Sequence, residues 1–368
     1  MKVLILVEWY YPIGGIEAFV WRLIKNLDKS TQITLAVCFV GQKVELLSPA
    51  SNIEIIDVTE GTFQAVQRVV TEKQPEVIHT NHRSLLGLAA LYAARTGHIP
   101  LVITNHQVPE YGVYTWQRFT NPFNWLHLWL FDSLASVVTA PSPTVARLLN
   151  GHGIRKNVKT ISCGVDTSLF RVRDREGARR HLRLANKPTL LFVGRLAKDK
   201  NVNVFVKAVA LLKDEFDFQL LLVGPKVVRY DASDEITKLI AELGMQDHVV
   251  LVGSFPSDSE ELALHYDAAD IFVIPSLFET QSIVTLEAMA SGLPIVASNS
   301  GALPDLVKEG GNGYLFKPLD AEDLAKKLHT LLQKPEMALR MGEESRKLAM
   351  MHDIKQTVAQ FQEVYAKA

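Results

Sequence analysis

A short apolar run, an amphipathic stretch, then another apolar run: this phrase repeats along the chain and limits the folds open to it. "VLILV" (3–7) precedes a Gly-Gly turn, after which Phe19, Val20, Leu23, Ile24 and Leu27 recur at helical spacing. "QITLAVCFV" (32–40) and "NIEIIDV" (52–58) read as strands. "FQAVQRVVTEKQ" (63–74) reads as a helix and "EVIHTN" (76–81) as a strand. "SLLGLAALYAARTG" (84–97) is a helix ended by Gly97. "PLVITNH" (100–106) and "ASVVTAPS" (135–142) are strands, and "PTVARLLNGHG" (143–153) is a short helix. Strand–helix alternation predicts a parallel sheet with helices on both faces.

The pattern then restarts. "NVKTISCGVD" (157–166) closes the first half, and the arginine-rich "LFRVRDREGARRHLRLANK" (169–187) reads as a linker leading into a helix. "TLLFVGRL" (189–196), "QLLLVG" (219–224), "HVVLVGSF" (248–255), "ADIFVIPS" (269–276) and "LPIVAS" (293–298) supply a second sheet. At 368 residues the chain exceeds one ordinary core. The expected fold class is α/β, with two Rossmann-like, doubly wound parallel-sheet domains facing a cleft, at residues 1–168 and 169–351. Ligands of such sheets bind outside the carboxyl ends of the strands. A last helix, about 352–368, follows the break at "MMHD" and is open to packing back on the first domain.

A formal net charge of −1 offers no basic field for nucleic acid. Two cysteines, Cys38 and Cys163, make no disulfide framework, which fits a reducing cytoplasm. The opening "MKVLILVEWYYPIGG" reads as a buried first strand rather than a signal peptide, because its apolar run is short and no small-residue cleavage site follows. No stretch approaches the length of a membrane-spanning helix.

Four places carry chemistry. In "SLFETQSIVTLEAMASGLPIVAS" (276–298), Glu279 falls in the loop after a strand, and Glu287 lies within a helix stopped by Gly292 and Pro294. The first-turn N–H groups near Gln281 to Ile283 form an anion- and hydroxyl-binding end. On spacing alone, a capping role for Glu279 and a surface position for Glu287 stay open. In "FVGRLAKDKNV" (192–202), Arg195 and Lys200 follow a strand ending at Gly194 and precede a helix over 202–213. A guanidinium fork and a point charge suit a diphosphate, though a solvated loop is the alternative. In "YYPIGGIEAF", Gly14 and Gly15 permit close backbone approach to a ligand. This is not a full G-x-G-x-x-G fingerprint, which argues against a nicotinamide enzyme. His79, His82 and His106 sit at or after strands, with His106 at an expected strand end. Neither zinc spacing nor a nucleophile elbow is present.

Together these motifs resemble the retaining nucleotide-sugar glycosyltransferases of family 4, whose architecture is the two-Rossmann-domain glycosyltransferase-B fold. The resemblance runs over essentially the whole chain. It rests on Glu-x7-Glu in "ETQSIVTLEAMASGLPIVAS", on "VGRLAKDKN", on "PSPTVARLL…GHGI…ISCGVDTSLF" and on "GGIE". It implies a hexosyltransferase with a nucleoside-diphosphate sugar donor, UDP-sugar favoured, and no cofactor or metal. Arg195 and Lys200 match the family's diphosphate-binding pair, Glu287 the ribose-binding acid, and Glu279 the acid near the donor sugar. Thr280, Gln281, Ser282 and Ile283 match the turn that binds sugar hydroxyls and phosphate. Gly15, preceded by Gly14, matches the glycine approaching the diphosphate, and His106 the histidine near the transferred sugar. Arg195, Lys200, Glu279 and His106 are thus the expected catalytic set.

The chain departs from the family at Gln281-Ser282, where Phe-Gly is frequent, and in "LLLVGPK", which is one residue short of the usual Gly-x-Gly-Pro run. "VPEYGVYTWQRFTNPFNWLHLWLFDSLASVV" (108–138) carries Trp116, Trp125 and Trp129 and looks like members that glycosylate diacylglycerol lipids. His106, Tyr111, Trp125 and Trp129 are the expected acceptor side, at a membrane surface on the cytoplasmic face. A packed core helix is the competing reading of those tryptophans. The six arginines from Arg171 to Arg183 are open to contact with anionic lipid or to a solvated linker. A soluble acceptor, a non-catalytic relative and an epimerase on the same fold are the alternatives.

Overall fold

The computed structural model describes residues 1–9, 15–39, 50–81, 84–108, 117–154, 158–225 and 231–368, with side chains for the same residues except 9, 39 and 117–123. The chain divides into two compact units. One is Met1–Gly164 with Ile354–Ala368, the other Val165–Asp353.

The first unit holds β1 (Lys2–Trp9), α1 (Gly15–Asn26), β2 (Gln32–Phe39), β3 (Ile53–Asp57), α2 (Thr62–Lys73) and β4 (Val77–Thr80). It continues with α3 (Leu85–Gly97), β5 (Leu101–Thr104), α4 (Gln117–Ser133), β6 (Val137–Ala140), α5 (Pro143–Gly151) and β7 (Lys159–Thr160). All strand pairs are parallel, in the order β3-β2-β1-β4-β5-β6-β7. Every residue from Val3 to Val7 is buried, as in a strand covered on both faces. The sequence "VLILV" is thus a central strand. Leu4, Leu6, Ile78, Ile103 and Val138 on one sheet face pack with residues of α2 to α5.

The second unit holds α6 (Arg175–His181), β8 (Thr189–Val193), α7 (Val202–Ala210), β9 (Gln219–Val223), α8 (Ser233–Glu242), β10 (Val249–Val252) and α9 (Glu260–Asp267). After these come β11 (Ile271–Ile274), α10 (Ile283–Ala290), β12 (Ile295–Ser298), α11 (Leu303–Leu306), β13 (Gly313–Phe316), α12 (Ala321–Gln333) and α13 (Pro335–Met350). Its six parallel strands run β10-β9-β8-β11-β12-β13. The last strand is one the sequence reading lacks. "GYLF" is short and follows Gly310 and Gly311, so it carries no strand pattern of its own, yet it pairs with β12. The helix expected over 202–213 is α-helical only to Ala210.

The final helix, α14 (Ile354–Lys367), belongs to the first unit. Its Tyr365 hydroxyl lies 2.7 Å from His79 Nδ1, and His79 Nε2 lies 2.7 Å from Thr104 Oγ1. Phe361 stacks on the same imidazole with ring centres 5.3 Å apart. Burial pushes the His79 pKa down to about 3, so this histidine is a neutral strut.

Three of the six linker arginines pair with acids of other elements in the second unit. Arg173 pairs with Glu260, while Arg175 and Arg179 both pair with Asp270 at the start of β11. Arg179 is buried, so the segment is not wholly solvated, while Arg171, Arg180 and Arg183 are exposed.

Candidate functional site

In both sheets the strand order reverses once, between β1 and β4 and between β8 and β11. Ligands of open parallel sheets bind at the carboxyl ends of strands flanking such a point. In the second unit the loops leaving β8 and β11 carry Arg195, Lys200 and Glu279.

After β8 the Gly194 N–H donates to Val223 O at 2.9 Å. Gly224, after β9, presses on it. It has φ +159°, and a Cβ there would overlap the Gly194 carbonyl, so only glycine lets the two turns meet. Arg195 follows, then a 3₁₀ turn over Lys198–Lys200. Arg195 Nη2 donates to Asp199 Oδ2 at 3.2 Å. Lys200 Nζ donates to Glu279 Oε1 at 2.6 Å, and both side chains are largely shielded, 17% and 13% exposed. Lys200 Nζ also lies 3.9 Å from Asp199 Oδ2. Arg195, Asp199, Lys200 and Glu279 therefore form one chain of alternating charge. The sequence reading missed Asp199, because an acid between two lysines in "KDK" looks like an exposed surface charge.

The Glu279 loop is fixed by backbone. Leu277 N–H donates to Asp199 O at 2.9 Å, and Ala302 N–H to Glu279 O at 2.8 Å. Gly301, at φ +55°, lies so close beneath Glu279 that a Cβ would overlap the Glu279 carbonyl. Glu279 is not the cap of α10. Ser282 is, with its Oγ accepting from Thr285 N–H at 3.4 Å and from Thr285 Oγ1 at 2.8 Å. The side chain at the family's usual glycine position is thus turned into the first turn of α10, and it is buried. The helix begins at Ile283, so its first N–H groups, which have no intrahelical acceptor, lie next to Thr280–Ser282.

Glu287 sits one turn further along α10. It is 1% exposed, not the surface residue that spacing alone left open. Its Oε2 accepts a 2.7 Å hydrogen bond from the Tyr266 hydroxyl. Sequence reading missed Tyr266 as well. In "ELALHYDAAD" the residues Leu262, Ala263 and Tyr266 recur as a core stripe, with no sign of a partner in the next helix. The adjacent Asp267 is buried near Arg173, whose Nε lies 3.6 Å away, and burial raises its pKa to about 6.

In the first unit His106 follows β5 and is 8% exposed. Its Nε2 lies 3.1 Å from Asn81 Oδ1 at the end of β4, its Nδ1 lies 4.0 Å from Cys163 Sγ, and the Phe19 ring packs 4.8 Å from its own. Asn81 is buried with its Nδ2 unpartnered. Both cysteines are free and buried. Gly15 opens α1, where among the described residues a Cβ would meet no atom within 4 Å. Gly14, His82, Tyr111 and Trp116 lie outside the described residues.

Of the α4 tryptophans, Trp129 lies outside the core, while Trp125 packs against it half-buried. Leu128 and Phe131 point inward and Asp132 accepts from Asn105 Nδ2 at 3.0 Å, whereas Leu126, Trp129 and Leu130 are exposed, Trp129 by 40%. Trp125 is half-buried and stacks on His152 with ring centres 3.5 Å apart. Among the described residues no helix is long and apolar enough to cross a membrane, and no group of three or more His, Cys, Asp or Glu is placed to hold a metal ion.

Comparison with known proteins agrees with this layout. Residues 174–348 match the family described as Glycosyl transferases group 1, and residues 13–169 match Glycosyltransferase Family 4. Sulfoquinovosyl transferase SQD2 of Arabidopsis thaliana is 30% identical over 291 residues, which is 76% of this chain and 54% of that protein. MMP alpha-(1->4)-mannosyltransferase of Mycolicibacterium hassiacum is 32% identical over 307 residues, which is 80% of this chain and 71% of the relative. The chain thus spans only about half the length of the first relative. Sucrose-phosphate synthase from Thermosynechococcus elongatus has the same fold, with a TM-score of 0.86 at 23% identity over 100% of this chain and 98% of that one. So does Anabaena Alr3699/HepE, solved with UDP and glucose, at 0.84 and 23% over the full length of both. Two doubly wound parallel-sheet units, each matching its half of one family, identify the chain as a member of the group 1, family 4 glycosyltransferases with the glycosyltransferase-B fold.

Proposed function

We propose that the protein is a retaining hexosyltransferase. It moves a sugar from a nucleoside-diphosphate sugar, UDP-sugar favoured, to a hydroxyl of a membrane lipid or glycolipid on the cytoplasmic face. The observation that carries the donor half is the Arg195–Asp199–Lys200–Glu279 chain at the switch point of the second sheet, beside the N-terminus of α10. In this reading Arg195 and Lys200 meet the diphosphate, the N–H groups at Thr280–Ile283 meet phosphate and sugar hydroxyls, and Glu287 holds the ribose. Glu279 serves the donor sugar and tethers Lys200. The family resemblance assigns Gly14 and Gly15 to approach of the diphosphate and His106 to the transferred sugar.

The sugar C1–O bond to the diphosphate breaks, and the acceptor oxygen bonds to C1 on the same face. The acceptor proton passes to the leaving phosphate, whose charge the two cations and the helix N-terminus offset. Nucleoside diphosphate and glycosylated acceptor leave. This scheme needs neither a protein nucleophile nor a metal.

The lipid acceptor draws support from the exposed Leu126, Trp129 and Leu130 of α4 and Leu85, Leu88 and Tyr92 of α3, helices whose buried sides share one core. The likeness to a sulfoquinovosyl transferase points the same way. A soluble sugar acceptor is the second reading; the relative named as an alpha-(1->4)-mannosyltransferase, of which this chain covers 71%, forms a sugar-to-sugar linkage. The test is nucleoside-diphosphate release across UDP-, GDP- and ADP-sugars, with diacylglycerol-lipid vesicles or soluble sugars as acceptor. The anomeric configuration of the product is then assigned by NMR. Turnover with lipid and retained configuration is expected. Inversion would refute the mechanism, and turnover with soluble sugars alone would refute the lipid acceptor.

A further inference from the structure

We infer that Tyr266 is a positioning residue for nucleotide binding, its phenol holding the Glu287 carboxylate in the setting that receives the donor's ribose diol. This rests on the ribose role proposed above for Glu287. Tyr266 lies in the last turn of α9 and is completely buried. Its ring stands edge-on to Phe170, with centres 5.5 Å apart at 88°, and tilts over Phe272 of β11 at 6.0 Å. Two aromatic neighbours therefore fix the phenol oxygen, and that oxygen donates to Glu287 Oε2 at 2.7 Å.

Packing alone does not account for this pair. Phenylalanine would fill the same volume between Phe170 and Phe272, and an apolar residue in place of Glu287 would avoid the cost of burying a carboxylate. A glutamate has three rotatable bonds, so a carboxylate meant for a diol needs a fixed partner to reduce what ordering costs on binding. Tyr266 is that partner, rigid and supplied by the preceding helix, α9.

The test compares Tyr266→Phe, Glu287→Ala and the double variant by calorimetry with UDP and GDP and by initial rates with the donor that turns over. Tyr266→Phe is expected to weaken nucleotide binding and raise the donor KM about tenfold, with kcat within about twofold. Glu287→Ala is expected to lose at least as much, and Tyr266→Phe added to it should cost nothing further. A purely structural role would instead lower the melting temperature and leave KM in place. Should Tyr266→Phe also lower stability, the same loss appears in both backgrounds and the cycle cancels it. Loss of affinity in Glu287→Ala with none in Tyr266→Phe, or losses that simply add, would overturn the inference alone. Unchanged affinity in Glu287→Ala would overturn the ribose reading and the inference with it.

Discussion

Lys200→Ala is the sharpest single perturbation of the donor site. The formal charges of Arg195, Asp199, Lys200 and Glu279 sum to zero in the free protein. Removing Lys200 leaves one net negative charge where the leaving diphosphate gathers its own. Lys200 and Glu279 are both largely shielded from water, so an effective dielectric constant near 20 applies. A unit pair at about 4 Å is then worth about 4 kcal/mol. Much of that is felt already by the bound donor and appears in KM. The part that grows as the C1–O bond breaks appears in kcat. Together kcat/KM should fall roughly 10³-fold, since each 1.36 kcal/mol is tenfold. Initial rates of nucleoside-diphosphate release at saturating and limiting donor separate the two parts, with circular dichroism to check the fold. Glu279→Gln in the Lys200→Ala background returns the cluster to zero charge. It should recover part of the UDP affinity and none of the turnover. A folded Lys200→Ala variant within about threefold of the parent would refute the reasoning, as would a double variant that binds UDP no better than the single one.

Because two side-chain cations and a helix end are assigned to the leaving group, activity should persist in EDTA; loss that magnesium or manganese restores would contradict that assignment. Replacing Trp129 and Leu130 by serine should reduce liposome binding while donor hydrolysis and melting temperature stay near the parent's, because both side chains are exposed; early melting with unchanged lipid binding would instead mark them as packing residues. Asp267 titrates near 6 in the folded protein against an ordinary 3.8, so the folded state holds the extra proton between those values, and stability falls as pH rises through that window. Asp267→Asn should therefore be more stable than the parent by roughly 2–3 kcal/mol at pH 8 and converge with it near pH 4, and a pH-independent gap in chemical denaturation would show the buried carboxylate is not the cause.

Strand–helix grammar was legible because parallel strands buried on both faces are almost purely apolar, as "VLILV" and "QLLLVG" show. The restart after residue 187 was legible for the same reason. β13 was not, since a four-residue strand beside two glycines carries no periodicity of its own. Among site residues, those following a strand directly announced themselves: Arg195, Glu279 and His106 each lie just past an apolar run. Asp199 and Tyr266 did not. The chemistry of each lies in a partner outside its own short motif, Arg195 four residues earlier at 3.2 Å and Glu287 in the following helix at 2.7 Å, and nothing in "KDK" or "LHYDAAD" names that partner. The exposed face of α4 was undecided for a related reason. Apolar residues occupy both of its sides, and only the buried contacts of Leu128 and Phe131 distinguish core from surface.

The proposed donor site gains its definition from backbone as much as from charge. Three loops meet there, leaving β8, β11 and β12. The first is tied to the second by Leu277 N–H to Asp199 O, and the second to the third by Ala302 N–H to Glu279 O. Gly301 lets the third loop lie directly beneath Glu279, where a Cβ would overlap the Glu279 backbone that carries the Lys200 partner. The ion pair is therefore a consequence of the lacing, not its cause. Even a largely shielded pair contributes little net stability once the cost of desolvating both charges is met, but loops already fixed by hydrogen bonds keep Lys200 and Glu279 in register without that contribution. The same holds one turn further on, where Tyr266 fixes Glu287 from a neighbouring helix. Such a site presents its cations and acids with little left to order when a diphosphate arrives, which is what a reaction driven by stabilising a leaving group requires.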